Sequence, residues 1–136
     1  MIKPHPATVS PATGFKEIAQ AFIGSRINHL YVVNEHNTFI GAISLHDIKA
    51  YLGQPDFAAC VIASDILRED FPVIKPTDPL AEALAAFTRH DLERLPVVAD
   101  SRSRELLGSL SKNDLLLALA QGAAVGQESS PGNPNR

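Results

Sequence analysis

Apolar residues recur along this chain in a fixed order that occurs twice. Phe15, Ile18, Ala19 and Phe22 stand at i, i+3, i+4 and i+7, and so do Leu80, Ala83, Leu84 and Phe87. That spacing puts one apolar face on a helix in each region. Pro79, just before Leu80, suits a first helical turn, where a missing N–H loses no partner. Behind each helix lies a short run rich in apolar and β-branched residues, 30–33 and 95–98, expected as buried strands. Polar connections follow at 34–38 and 99–105, the second longer by two residues and expected as a hairpin loop. Residues 39–43 and 106–110 then supply second strands, and Ser44 and Ser111 each open a second helix.

The two halves align residue by residue. Residues 9–33 lie on 74–98 at an offset of 65, with Pro11/Pro76, Glu17/Glu82, Ala21/Ala86, Phe22/Phe87, Leu30/Leu95, Val32/Val97 and Val33/Val98 identical. After the longer loop the match resumes at an offset of 67, where Gly41, Ser44 and Asp47 fall on Gly108, Ser111 and Asp114. A repeated G-x-x-S-x-x-D in one chain marks an internal duplication. The expected fold class is therefore α/β (α+β): two β-α-β-β-α repeats packed with pseudo-two-fold symmetry, each covering the other's apolar side. The expected organisation is a first domain over 9–53, a connector over 54–73 with one helical turn at 62–67, a second domain over 74–121, and a disordered tail over 122–136, where Gly, Pro, Ser and Asn dominate.

Composition narrows the class further. Of the 136 residues 45% are hydrophobic, enough for a packed core. The net charge of −3 argues against nonspecific attraction to nucleic acid, so no nucleic-acid partner is expected. Cys60 is the sole cysteine, which excludes an internal disulfide and fits a reducing compartment; the side chain is expected buried, as a small apolar group. No apolar run reaches the length that spans a bilayer, and the first six residues have no signal-peptide core. The chemistry of most enzymes is missing as well. H-E-x-x-H, C-x-x-C and P-loop patterns do not occur, and His5, His29, His36, His46 and His90 have no metal-ligand spacing. Neither an enzyme nor a metal site is expected.

The paired helix pattern, the strand ending L-P-V-V at 95–98 and the G-x-h-S-x-x-D at 41–47 and 108–114 resemble the CBS domain in its tandem form, over roughly residues 9–120. Copy one departs from the pattern at Tyr31, where copy two has Pro96. The resemblance implies a regulatory module that binds an adenine nucleotide (ATP, ADP or AMP) between the copies and requires no cofactor. It implies that Asp47 and Asp114 hydrogen-bond ribose hydroxyls, that Ser44 and Ser111 hold ribose or phosphate, and that Thr77 faces the Asp47 site while Thr13 faces the Asp114 site. Arg26, Arg94, Lys49 and Lys112 are candidate phosphate partners, though a solvated charge is the ordinary role of each. Val32 and Val97 could line the site but fit the core better. The residues alone leave a second reading open, because S-x-x-D is also a helix cap that needs no ligand. Residues 61–84 and S-L-S-K-N-D-L-L also resemble the cytoplasmic C-terminal regions of bacterial chloride channels and transporters. This resemblance implies a place at the cytoplasmic face of a membrane, continuous with a transport domain. A stand-alone accessory protein and a ligand-free dimerisation module are the alternatives.

The segment 115–120, L-L-L-A-L-A, is apolar on every side of its expected helix. One core covers one face, so a homodimer is expected through this helix and through Ile48, Tyr51 and Leu52.

Overall fold

The computed structural model describes residues 1–121. Residues 122–136, expected as a tail, lie outside the described residues. The chain divides into two compact units, Ala7–Phe71 and the stretch from Pro72 onward joined by Met1–Pro6.

In the first unit β1 (Thr8–Val9) leads through α1 (Phe15–Ile23) to β2 (His29–Val33), β3 (Phe39–Ser44) and α2 (Leu45–Leu52). The sheet order is β1-β2-β3. β1 runs parallel to β2, with Val9 opposite Val32, because α1 returns the chain to the same end of the sheet. β2 and β3 form an antiparallel hairpin whose register places His29 opposite Ser44 and Val32 opposite Gly41. The five-residue loop is closed by Asn34, whose Oδ1 accepts from the amides of His36 (2.8 Å) and Thr38 (3.0 Å). Ile18 and Phe22 deliver the apolar face of α1 onto Leu30, Val32, Ile43 and Ile48. Two one-turn helices, α3 (Pro55–Ala58) and α4 (Ala63–Ile66), follow, and α4 adds Ala63 and Ile66 to this core.

The second unit repeats the plan with α5 (Leu80–His90), β4 (Arg94–Val98), β5 (Leu106–Ser111) and α6 (Lys112–Gln121). Its first strand shrinks to a single parallel bridge, Ile74 to Val97, at the position of the Val9–Val32 pair. Pro79 is the N-cap of α5 rather than inside its first turn; its carbonyl accepts from the amides of Glu82 (3.0 Å) and Ala83 (3.1 Å). In the longer hairpin loop Asp100 Oδ1 accepts from the amides of Arg102 and Ser103, at 2.8 and 2.7 Å. Phe87, Leu95, Val97, Leu110 and Leu115 are fully buried.

Each hairpin gains an edge from a segment that lies before the other copy's repeat. On β3 that segment contributes Arg68, whose amide donates to the Ala42 carbonyl (2.8 Å) and whose carbonyl accepts from the Ala42 amide (3.2 Å). On β5 the same two bonds join Lys3 and Ser109, at 2.8 and 2.9 Å. The close approach requires glycine. A Cβ on Gly41 would stand 2.5 Å from the Arg68 carbonyl oxygen, and one on Gly108 would run into the Lys3 carbonyl. The glycine of G-x-x-S-x-x-D is thus the point where the crossing backbone meets the sheet.

Two expectations need correction. Cys60 is exposed, not buried, because it sits in the turn between α3 and α4, where only Ala58 and Val61 on either side face the core. Ile48 is 2% exposed and belongs to the core of its unit, so it has no surface to offer a partner. Tyr51 is half-buried and Leu52 is exposed.

Candidate functional site

Serine and aspartate of the repeated motif are brought together at the point where each hairpin turns into its helix. Ser44 closes β3 in extended conformation and caps α2, its Oγ accepting from the Asp47 amide at 3.0 Å. Ser111 does the same for Asp114 at 3.0 Å. The carbonyls of Asn28 and Glu93 accept from the next amides, those of Leu45 (2.9 Å) and Lys112 (2.8 Å). Two otherwise unpaired donors at each helix start are thereby satisfied, which fixes where each aspartate stands.

The two aspartates differ in their surroundings. Asp47 is half-buried and both its oxygens face Arg68, with Nε donating to Oδ2 at 3.1 Å and Nη2 to Oδ1 at 3.0 Å. The Arg68 hydrogen bonds hold the Asp47 carboxyl below its ordinary range; Ser44 acts in the same direction and partial burial opposes both. Asp114 is exposed, and no ion pair to it forms among the described residues. Lys3, in the place of Arg68, engages the sheet through its main chain.

His29, opposite Ser44 in the hairpin register, is a third titratable group beside this pair. Its ring lies 4.9 Å from that of Phe71. Burial pushes the imidazole below the usual histidine value; Asp47 raises it and Arg68 lowers it further. For both His29 and Asp47 the folded chain releases its proton more readily than the unfolded chain does. Their stability contribution is therefore present at neutral pH. It is lost as pH falls, first below about 6.5 for His29 and then below about 4 for Asp47. The urea midpoint is expected to drop from pH 7.5 to 5.5 and again towards pH 4, with His29→Gln flattening the upper step. An equal upper step in His29→Gln would locate that titration elsewhere.

The threonines lie on the two units separately. Thr13, in the unit of Asp47, is turned inward on its own loop, its Oγ1 accepting from the Ser10 amide at 3.0 Å. Thr77 is exposed in the unit of Asp114, within the turn that the Lys75 amide and Asp78 close at 2.9 Å. Val32 and Val97 are fully buried, Val32 in the core of the first unit. Among the candidate cations, Arg94 is held by Ser109, with Nη1 donating to Oγ at 2.8 Å; Arg26 and Lys49 are exposed and Lys112 is half-buried. Arg68 was missed by the sequence reading. Its signal was the 65-residue offset carried back to the start of the chain, which sets Arg68 on Lys3.

Comparison with known proteins matches the CBS domain over residues 1–54 and again over 63–121. A curated relative, named homoserine O-acetyltransferase, from Methanocorpusculum labreanum, is 32% identical over 84% of this chain. The chain spans about a fifth of that relative's length, 22%. Among solved structures, CBSX2 in complex with AMP is similar at a TM-score of 0.73 and 21% identity, covering 88% of this chain and 92% of its own. The CBS pair of MJ0100, solved with 5′-methylthioadenosine and S-adenosyl-L-methionine, gives 0.67 and 22%, over 89% and 93%. The CBS pair of a Mg2+ transporter from Shewanella oneidensis gives 0.75 and 17%, over 89% and 68%. With both repeats matched and the α+β fold shared, this chain belongs to the CBS domain family as a tandem pair.

Proposed function

We propose that the chain is a regulatory module that binds an adenosyl ligand at the starts of α2 and α6, with Asp47 and Asp114 on ribose hydroxyls and Ser44 and Ser111 beside them. The observation that carries this reading is the duplicated Ser-x-x-Asp at a strand-to-helix turn, in a fold whose solved neighbours include one with AMP and one with 5′-methylthioadenosine and S-adenosyl-L-methionine. A carboxylate suits two vicinal hydroxyls, and a helix start favours a phosphate. Thr77 and Thr13 are the candidate contributions of the opposite copy. A ligand regulates only by binding the competing arrangements of the pair unequally.

The resemblance of residues 61–84 favours attachment to a chloride transporter at the cytoplasmic face of a membrane; a CBS pair from a protein named for Mg2+ transport shares the fold. A free-standing CBS protein fits the same site equally well. The curated relative carries the matching stretch within a longer chain of a different name, so the regulatory role is the part of the reading independent of the host.

A second reading, a ligand-free dimerisation module, is favoured by α6. Leu115 and Ala118 are buried, whereas Leu116, Leu117 and Leu119 are 44%, 63% and 37% exposed. Calorimetric titration of nucleotide-stripped protein with ATP, ADP and AMP separates the two. Saturable binding is expected, reduced about tenfold or more by Asp114→Ala in a folded protein, the effect of one charge-assisted hydrogen bond. No heat with any nucleotide, beside a dimer in light scattering, overturns the ligand reading and leaves the dimerisation module.

A further inference from the structure

The duplication makes two helix starts of the same design, yet among the described residues only one of the two carboxylates is held in an ion pair. Arg68 approaches Asp47 as a planar fork, one nitrogen to each oxygen, at 3.1 and 3.0 Å. Ser44 fixes where this carboxylate stands, its Oγ accepting from the Asp47 amide at 3.0 Å. An ionised carboxylate has about four acceptor sites, and Arg68 already occupies one on each oxygen. A diol that spans both oxygens competes with this fork.

Arg68 can yield them. Its backbone is fixed on β3 by the two bonds to Ala42, but its side chain is 59% exposed and swings without disturbing the core. A guanidinium lifted from Asp47 loses a bidentate partner, and a neutral ligand offers nothing in return. A phosphate does, because the same planar fork matches its oxygens. In the second copy the comparison runs the other way: Lys3 replaces Arg68, the Asp114 carboxylate has no ion pair among the described residues, and no such exchange is needed.

From this asymmetry we infer that Arg68 is the specificity-determining residue of the Asp47 site, a built-in counter-ion that admits phosphorylated nucleosides and rejects neutral ones, whereas the Asp114 site takes both. The inference rests on the ligand reading proposed above and adds to it which class of adenosyl compound each copy accepts.

The test uses the full chain carrying Asp114→Ala, which leaves the Asp47 site alone, titrated with AMP and with adenosine. Binding is followed by calorimetry and by the His29 imidazole resonances, since His29 senses both Asp47 and Arg68. AMP is expected to bind about tenfold or more tightly than adenosine, as one charge-assisted contact provides. Adding Arg68→Ala is expected to weaken AMP and strengthen adenosine until the two agree within about threefold. Arg68→Lys, which keeps the charge and loses the fork, retains a preference for AMP. An AMP-to-adenosine ratio unchanged by Arg68→Ala, while Asp47→Ala still abolishes AMP binding, overturns the role of Arg68 and leaves the ligand reading intact. AMP that binds Asp47→Ala normally but not Asp114→Ala also overturns it, since the Asp47 site is then closed to phosphate as well. AMP binding indifferent to both aspartates removes the ligand reading itself, and this inference with it.

Discussion

Phe87→Ala is expected to destabilise the protein by about 3–5 kcal/mol, the cost of emptying a buried aromatic site in a packed core. Phe87 is fully buried at the centre of the second unit, on the face of α5 that the helical spacing marks as apolar. Its equivalent in the first unit, Phe22, is 6% exposed and packs against Leu30, Val32 and Ile43, so Phe22→Ala is expected to act similarly. A loss of that size is a large share of the roughly 5–15 kcal/mol that holds a domain folded. Urea unfolding should show it as a lowered midpoint. Leu117→Ala, on the 63% exposed side of α6, should fall within about 0.5 kcal/mol of the parent in the same measurement. Equal losses from Phe87→Ala and Leu117→Ala would contradict the assigned core.

Gly41→Ala is expected to cost about 1–3 kcal/mol through overpacking alone. A methyl group there meets the carbonyl oxygen of Arg68 at 2.5 Å and Leu67 Cδ1 at 2.7 Å. The leucine tip could rotate away, but the carbonyl is main chain and cannot. The crossing segment must lift off β3, which breaks the paired bonds between Ala42 and Arg68, each a net loss of about 0.5–1.5 kcal/mol. It also withdraws Arg68 from Asp47. The ion pair itself adds little, about 0.2–1 kcal/mol, because the arginine side chain is 59% exposed. Gly53→Ala is the natural control, since nothing stands within 4 Å of a Cβ there. Comparable urea midpoints for Gly41→Ala and Gly53→Ala would show that the segment yields without loss.

The course of the fold was legible because the duplication repeats every local signal. The i, i+3, i+4, i+7 face of α1 and α5, the β2–β3 and β4–β5 hairpins and the serine caps of α2 and α6 all appear in both halves. A pattern read twice is hard to misread, even where one copy is weak, as with the first strand of the second unit. Contacts between distant segments were not legible. Residues 1–6 carry no periodicity, yet Lys3 pairs with Ser109, and the glycine that admits it reads in sequence only as a small residue. Arg68 was hidden for the same reason: its partner lies 21 residues away, and its role depends on a backbone crossing that no local pattern announces. Pro79 sits one residue earlier than its helix-forming reputation suggests, because as N-cap it keeps extended backbone angles. The all-round apolar pattern of α6 predicts a partner surface that extends to Ile48, Tyr51 and Leu52, but Ile48 is spent on the core of its own unit.

The most direct test of the ligand reading is an experimental structure of this chain grown with saturating AMP. The account predicts a nucleotide whose ribose hydroxyls lie within hydrogen-bonding distance of the Asp114 carboxylate, beside the Ser111 cap. A structure in which AMP binds away from both aspartates, or in which both helix starts remain without ligand at saturation, would contradict it.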